Sequence, residues 1–438
     1  MQGKDDFFSW FGTRAGKPLN DRQIKAIRAD KGPVLVVAGA GTGKTTMIIA
    51  KAAYLLREKG MKPERLLMLT FSRDAAIRMK GEVERILPHA RGITVSTFHS
   101  FCFGFLRENG EDTGICEGYR ILDEKDARYM LCKEMGISQA VAGDYIFGIQ
   151  QAKDLGLSFA DYRGYLRRKE AQIREYAGGD DVETAATVAN VHLRTLHLKT
   201  REIGPEEKKR LTRFLDAIQH HKKYLKFLES WQCYEAIKSE KKFLDRADLI
   251  HIAIELSSAR GCDKLAGGYD YVIVDEFQDT SLQQYYLLKI LAGNHGNVTV
   301  VGDVDQSIYE FRDARPENME TFKREYRPQI FDLTENYRST DKILRTAGRL
   351  IRNNYRSPED VKLIKAFMPA AKGENVRVIR SCDPKEQARR IAEEIGELTI
   401  YGGVPPEEIA ILFRSCSSIP PLQAALEYIG LPYQLLSS

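Results

Sequence analysis

Val34-Leu35-Val36-Val37 runs straight into Ala38-Gly39-Ala40-Gly41-Thr42-Gly43-Lys44-Thr45-Thr46, and no other stretch restricts the fold as tightly. An unbroken apolar run of this kind reads as a strand buried on both faces, as in a parallel sheet covered by helices. The glycines that follow let the backbone curl, and Thr45–Glu58 then reads as a helix. Strand, glycine turn and helix N-terminus together present a row of N–H groups to an anion. Phosphate oxygens need many donors in a tight curve, which Gly39, Ala40, Gly41, Thr42 and Gly43 can supply. Lys44 can reach the β and γ phosphates, and the Thr45 hydroxyl, with Thr46 beside it, can take Mg²⁺. The strict phosphate-loop pattern opens on glycine where this chain has Ala38, and a small residue suffices there.

A second apolar run, Tyr271-Val272-Ile273-Val274, ends in Asp275-Glu276-Phe277-Gln278-Asp279. An acidic strand end is placed to hold the same Mg²⁺ through Asp275, and Glu276 to orient or deprotonate an attacking water. Beside the glycine loop, this pair points to hydrolysis of ATP rather than its storage.

Further strand-like runs fall at Leu66–Phe71, Ile93–Phe98 and Val298–Gly302, with a helical stretch at Arg73–Leu87. The alternation predicts an α/β fold with nucleotide at the strand C-terminal ends. From about Leu106 to Lys242 the strand signals vanish and helical patterns such as Glu206–Phe227 take over, around a loop at Gly178-Gly179-Asp180-Asp181. This block reads as an all-helical domain inserted into the α/β domain. Its Lys222-Lys223-Tyr224-Leu225-Lys226 stretch fits a solvated helix face better than a nucleic-acid contact. After Leu333, Val376–Arg380 and Ile409–Phe413 read as strands. Glu386–Leu398 reads as a helix with Ala388, Ile391, Ala392, Ile395 and Leu398 on one face, and Pro421–Tyr428 as another. That is the beginning of a second α/β domain.

At 438 residues, two to four domains are expected, and a net charge of +5 permits a polyanion partner without demanding one. The seven cysteines lack any C-x-x-C pair, which argues against a disulfide framework, zinc ribbon or iron–sulfur cluster and for reduced, mostly buried thiols. Without a signal-peptide or membrane-length apolar run, a cytoplasmic protein with no membrane partner is expected.

The motifs, in order, resemble those of the UvrD/Rep-type superfamily 1 helicases from Leu19 to about Tyr433. Leu19-Asn20-Asp21-Arg22-Gln23 is similar to the glutamine motif, and the resemblance implies that Gln23 reads adenine. Leu69-Thr70-Phe71-Ser72, Thr97-Phe98-His99-Ser100 and Phe243-Leu244-Asp245-Arg246-Ala247-Asp248-Leu249-Ile250 match the next segments. The acidic strand end, Val301-Gly302-Asp303-Val304-Asp305-Gln306-Ser307-Ile308-Tyr309 and Leu333-Thr334-Glu335-Asn336-Tyr337-Arg338-Ser339 complete the run. The resemblance implies that Gln306 senses the γ-phosphate, Tyr337 stacks on adenine and Arg338 acts as an arginine finger. Phe71, His99, Phe311 and Arg312 would line a track for single-stranded DNA. Phe311 stands where the family usually has tryptophan, and Glu310 where a basic residue is common.

The implied fold is a P-loop, RecA-like first domain (1–105 and 245–335), an inserted helical domain (106–244) and a partial second RecA-like domain (336–438). The implied activity is ATP- and Mg²⁺-dependent translocation, 3′→5′, on single-stranded or partly duplex DNA. A protein loading partner is possible and unspecified. The family's last two motifs, one carrying a further γ-phosphate arginine, are not found after Arg338. The expectation is therefore of a shortened chain, in which Val376–Ser438 is the least stable part or pairs with something else. The alternative reading is a module that binds ATP and DNA with little turnover of its own.

Overall fold

A computed structural model describes residues 6–109, 118–176, 205–259, 265, 267–293, 295–308, 314–355, 364–367 and 373–436. Its strands, in chain order, are β1 (Pro33–Ala38), β2 (Leu66–Thr70), β3 (Thr94–Thr97), β4 (Arg120–Ile121), β5 (Phe243–Leu244), β6 (Tyr271–Val274), β7 (Val298–Gly302), β8 (Gln329–Leu333), β9 (Glu335–Asn336) and β10 (Lys365–Ala366). Six of them form one sheet in the order β3-β2-β6-β7-β1-β8. Every pairing in it is parallel, with Val36 beside both Val301 and Phe331 and Leu69 beside both Val274 and Ser96. All strand C-termini therefore share one edge, and the loops after β1, β2, β3, β6, β7 and β8 meet there.

The sheet is filled from both faces, as the unbroken apolar runs require. Val34, Val36 and Ala38 of β1 join one core with Met47, Ile48 and Ile273. Leu35, between them, joins the other with Val272, Val274, Val298 and Val300. β8 was not anticipated. It closes the sheet beyond β1 with mostly exposed residues, since an edge strand lacks the apolar run that marks a central one.

The helical block holds a third core of Leu122, Leu131, Ile146, Ile149, Trp231 and Tyr234. The helices Glu124–Met135, Gln139–Asp154, Phe159–Tyr176 and Pro205–Lys241 build it. The short parallel pair β4–β5 lies where it joins the α/β domain. At that junction Lys153 and Lys238 reach Asp245, Asp248 and Glu235 at 2.6–2.9 Å. Asp245 and Asp248 also cap each other's backbone N–H, so each buried charge has partners. The Gly178–Asp181 loop lies outside the described residues.

The chain separates into two compact units, Met1–Arg338 with Glu359–Phe367, and Ser339–Pro358 with Met368–Ser438. In the second, helix Pro384–Ile400 packs on helix Ile419–Tyr428 and buries Ala388, Ala392, Leu422 and Leu426. The strands expected at Val376–Arg380 and Ile409–Phe413 are absent: both segments are irregular, with Val378 83% and Leu412 93% exposed. A strand needs a neighbour to satisfy its backbone, and neither segment pairs among the described residues. The described cysteines are free, but only Cys102 is buried, while Cys382 and Cys416 are exposed rather than sheltered. No described helix is long and apolar enough to cross a membrane.

Candidate nucleotide site

The loop from Gly39 to Gly43 joins β1 to helix Lys44–Arg57 at the common edge. Gly41 and Gly43 take φ of 72° and 82°, a left-handed backbone that favours glycine. Space is also short there: a Cβ on Gly43 would lie 2.6 Å from Gln23 Nε2, and one on Gly41 2.8 Å from Arg338 Cβ. Thr42 is buried and its hydroxyl donates to Gly39 O at 2.8 Å, closing the loop on itself.

The Lys44 ammonium donates to Glu276 Oε2 at 2.8 Å and to Gln306 Oε1 at 3.1 Å. Three separated sequence motifs thus meet on one cation. Glu276 has φ 50° and ψ 47°, unusual for a residue with a side chain, and such strain is concentrated at functional positions. Asp275 is 7% exposed and accepts from Glu276 N at 2.9 Å. Burial first, and the neighbouring Glu276 second, push its carboxyl up to about 7. A cation bound beside it would favour the carboxylate form, and the oxygen donors of Asp275 and Thr45 are of the type magnesium takes. Thr45 is exposed at the first turn of its helix, and Thr46 is half-buried beside it.

Gln23 is buried, and both ends of its carboxamide are engaged. Oε1 accepts from Asn20 N at 3.0 Å within a capping box, and Nε2 donates to Thr42 O at 3.2 Å. It ties helix Asp21–Arg28 to the phosphate loop, and pairing with adenine would exchange those bonds. The segment after β8 docks on the same loop. Tyr337 N donates to Gly41 O at 2.8 Å, and Asn336 Nδ2 donates to Ala40 O. Tyr337 is 43% exposed, its ring 4.7 Å from that of Phe367, and its hydroxyl donates to Glu335 and accepts from Asn20 at 2.8 Å. Arg338 is exposed beside Gly41, its backbone N–H donating to Asn336 Oδ1.

Phe71 and His99 follow the paired strand ends Thr70 and Thr97. Phe71 is 38% exposed. Burial, then Arg246 and Arg73, bring His99 down to about 4, so at neutral pH it is an uncharged ring. Phe311 and Arg312 lie outside the described residues. Asn20, Asp303 and Asn336, all part of the site's bonding, were given no role by the sequence. Only their places inside the quoted motifs could have singled them out.

A strand–glycine-loop–helix unit facing an acidic strand end defines a P-loop nucleotide-binding fold. Residues 19–327 match the UvrD/REP helicase N-terminal domain, and residues 331–438 the UvrD-like helicase C-terminal domain. The chain belongs to the UvrD/REP helicase family. It is similar to the ATP-dependent DNA helicase PcrA of Staphylococcus epidermidis, with 28% identity over 425 residues, covering 96% of this chain and 51% of that protein. PcrA of Leuconostoc citreum is 28% identical over 429 residues (95% and 50% covered), and that of Staphylococcus aureus 28% over 423 (95% and 50%). The chain spans about half the length of the curated relatives it matches.

Proposed function

We propose that this chain is the ATP-binding part of an ATP-dependent DNA helicase or translocase, cytoplasmic and moving 3′→5′. The observation that carries the reading is the Lys44 ammonium held between Glu276 and Gln306, with the glycine loop curled beside it. A triphosphate on Gly39–Thr46 would take Lys44 as its ligand, with Arg338 adjacent to the developing charge and Tyr337 beside the base. Thr45 and Asp275 would hold Mg²⁺, which when bound neutralises charge on the phosphate oxygens. Glu276 would orient the attacking water, and Gln306 would report the phosphate to the loop after β7. Phe71 and His99, with Phe311 and Arg312, would form the DNA track, with Arg73 and Arg246 adding positive charge near His99. The domain limits read from the sequence belong to this proposal.

ATP turnover by the chain should rise when a single-stranded oligonucleotide is added, and Lys44→Ala should reduce it by at least about 10³-fold. Turnover indifferent to DNA would refute the translocase reading. The second reading, an ATP-responsive DNA-binding module, is favoured by the unpaired Val376–Arg380 and Ile409–Phe413 segments. It expects nucleotide binding without multiple turnover at matched salt, and robust turnover would eliminate it.

A further inference from the structure

Gln278 is 1% exposed, and both ends of its side chain are spent within the site. Nε2 donates to Glu276 Oε2 at 2.9 Å, and Oε1 accepts from the backbone N of Asp303 at 3.0 Å. The bonding continues through Asp303 Oδ2, which accepts from Gln306 Nε2 at 2.7 Å. Gln306 Oε1 accepts from Lys44, and Lys44 donates to Glu276, which closes a ring through five residues. Chemistry fixes both amides in one orientation. Asp303 N–H and the Lys44 ammonium can only donate, so each must meet a carboxamide oxygen, leaving the nitrogens for Glu276 and Asp303. A Cβ on Gly302 would lie 2.6 Å from Gln278 Oε1, so a side chain there would have to displace that amide.

We propose that Gln278 is a positioning residue: it holds the Glu276 carboxylate and couples it to the Asp303–Gln306 turn. The proposal rests on the ATP-hydrolase reading. Lys44 and Gln278 bind the same Glu276 oxygen. When a triphosphate draws Lys44 away, Gln278 remains to keep the carboxylate aimed. A neutral amide suits that task because it orients the carboxylate without neutralising its charge. Through its other end, the same side chain ties Glu276 to the turn carrying Gln306, so a change at Lys44 reaches both along one bonded path. A leucine of similar size would preserve packing and lose both bonds. A glutamate would keep the acceptor for Asp303 and lose the donor to Glu276.

The test compares the whole chain with Gln278→Leu and Gln278→Glu, by amide hydrogen exchange without nucleotide and by ATP turnover with oligonucleotide. In Gln278→Leu, exchange over Asp303–Gln306 should quicken about tenfold while β6 and β7 stay protected. In Gln278→Glu that turn should keep its protection. Turnover should fall about thirtyfold in both, with KM for ATP within about threefold, the pattern of an interaction lost in the transition state. Unchanged exchange in Gln278→Leu, or turnover within about twofold of wild type in either variant, would overturn the proposal. So would a loss confined to KM, or loss of protection across the sheet in both variants. If the wild-type chain hydrolyses no ATP, the hydrolase reading fails by itself, and the exchange comparison still decides whether Gln278 couples the two segments.

Discussion

The runs Tyr271–Val274 and Ile409–Phe413 look alike as sequence, yet only the first is a strand. β6 lies between β2 and β7 with every residue buried. Ile409–Phe413 pairs with no strand among the described residues, and Leu412 is 93% exposed. The difference is not one of propensity. A parallel strand becomes stable only when flanking strands satisfy its N–H and C=O groups and helices cover both faces. The first unit supplies both, and among the described residues of the second only the helix pair Pro384–Ile400 and Ile419–Tyr428 buries apolar side chains.

Native-state hydrogen exchange would test this comparison most severely. Amides of β1, β6 and β7 should be protected at least about 10³-fold more strongly than those of Val376–Arg380 and Ile409–Phe413. Equal protection would break the contrast. Substitution gives the next largest effect. Leu35→Ala empties a site that is 0% exposed at the sheet centre and should cost about 3 kcal/mol in a denaturant titration. Leu412→Ala should change stability by less than about 0.5 kcal/mol, because little of that side chain leaves water. A Leu412 effect as large as that of Leu35 would mean the segment is packed in solution.

The inner strands β1, β2, β6 and β7 were legible because they are covered on both faces and so carry nearly unbroken apolar runs. The helices Lys44–Arg57 and Arg73–Ile86 were located to within a residue or two for a related reason, their fixed place between such strands. Lys44, Asp275 and Glu276 were legible because phosphate and metal chemistry demands those residue types at strand ends. What escaped is what depends on partners. β8 has an edge strand's mixed pattern, and the segments beyond Leu333 carry a strand pattern without a sheet. Gln278 and Asn336 each reach one distant backbone group, Asp303 N and Ala40 O, and no local periodicity announces such a bond. Lys153 and Lys238 are in the same position: a lysine on a helix reads as solvated until the fold places Asp245 against it.

Lys51 offers the smallest effect and the sharpest view of how tightly the first unit is closed. It is 0% exposed, donates to Ala26 O at 2.9 Å and Ala29 O at 2.6 Å, and lies 5.5 Å from the centre of the Tyr271 ring. It thereby caps the helix that carries Gln23. Burial brings its ammonium down to about 7, against an opposing pull from Asp30, which is itself paired with Lys59. Between that value and the ordinary 10.5, the unfolded chain binds a proton that the folded chain does not. Stability from this group must therefore rise with pH across that window. Relative to Lys51→Met, the wild-type protein should gain about 1 kcal/mol per pH unit between about pH 7.5 and 9. Denaturant titrations of both proteins across that range would measure the gain. Because both share every other titrating group, a constant difference would show that Lys51 stays charged when folded. In that case water reaches it, and the core around β1 and β6 is less closed than the contrast with the second unit requires.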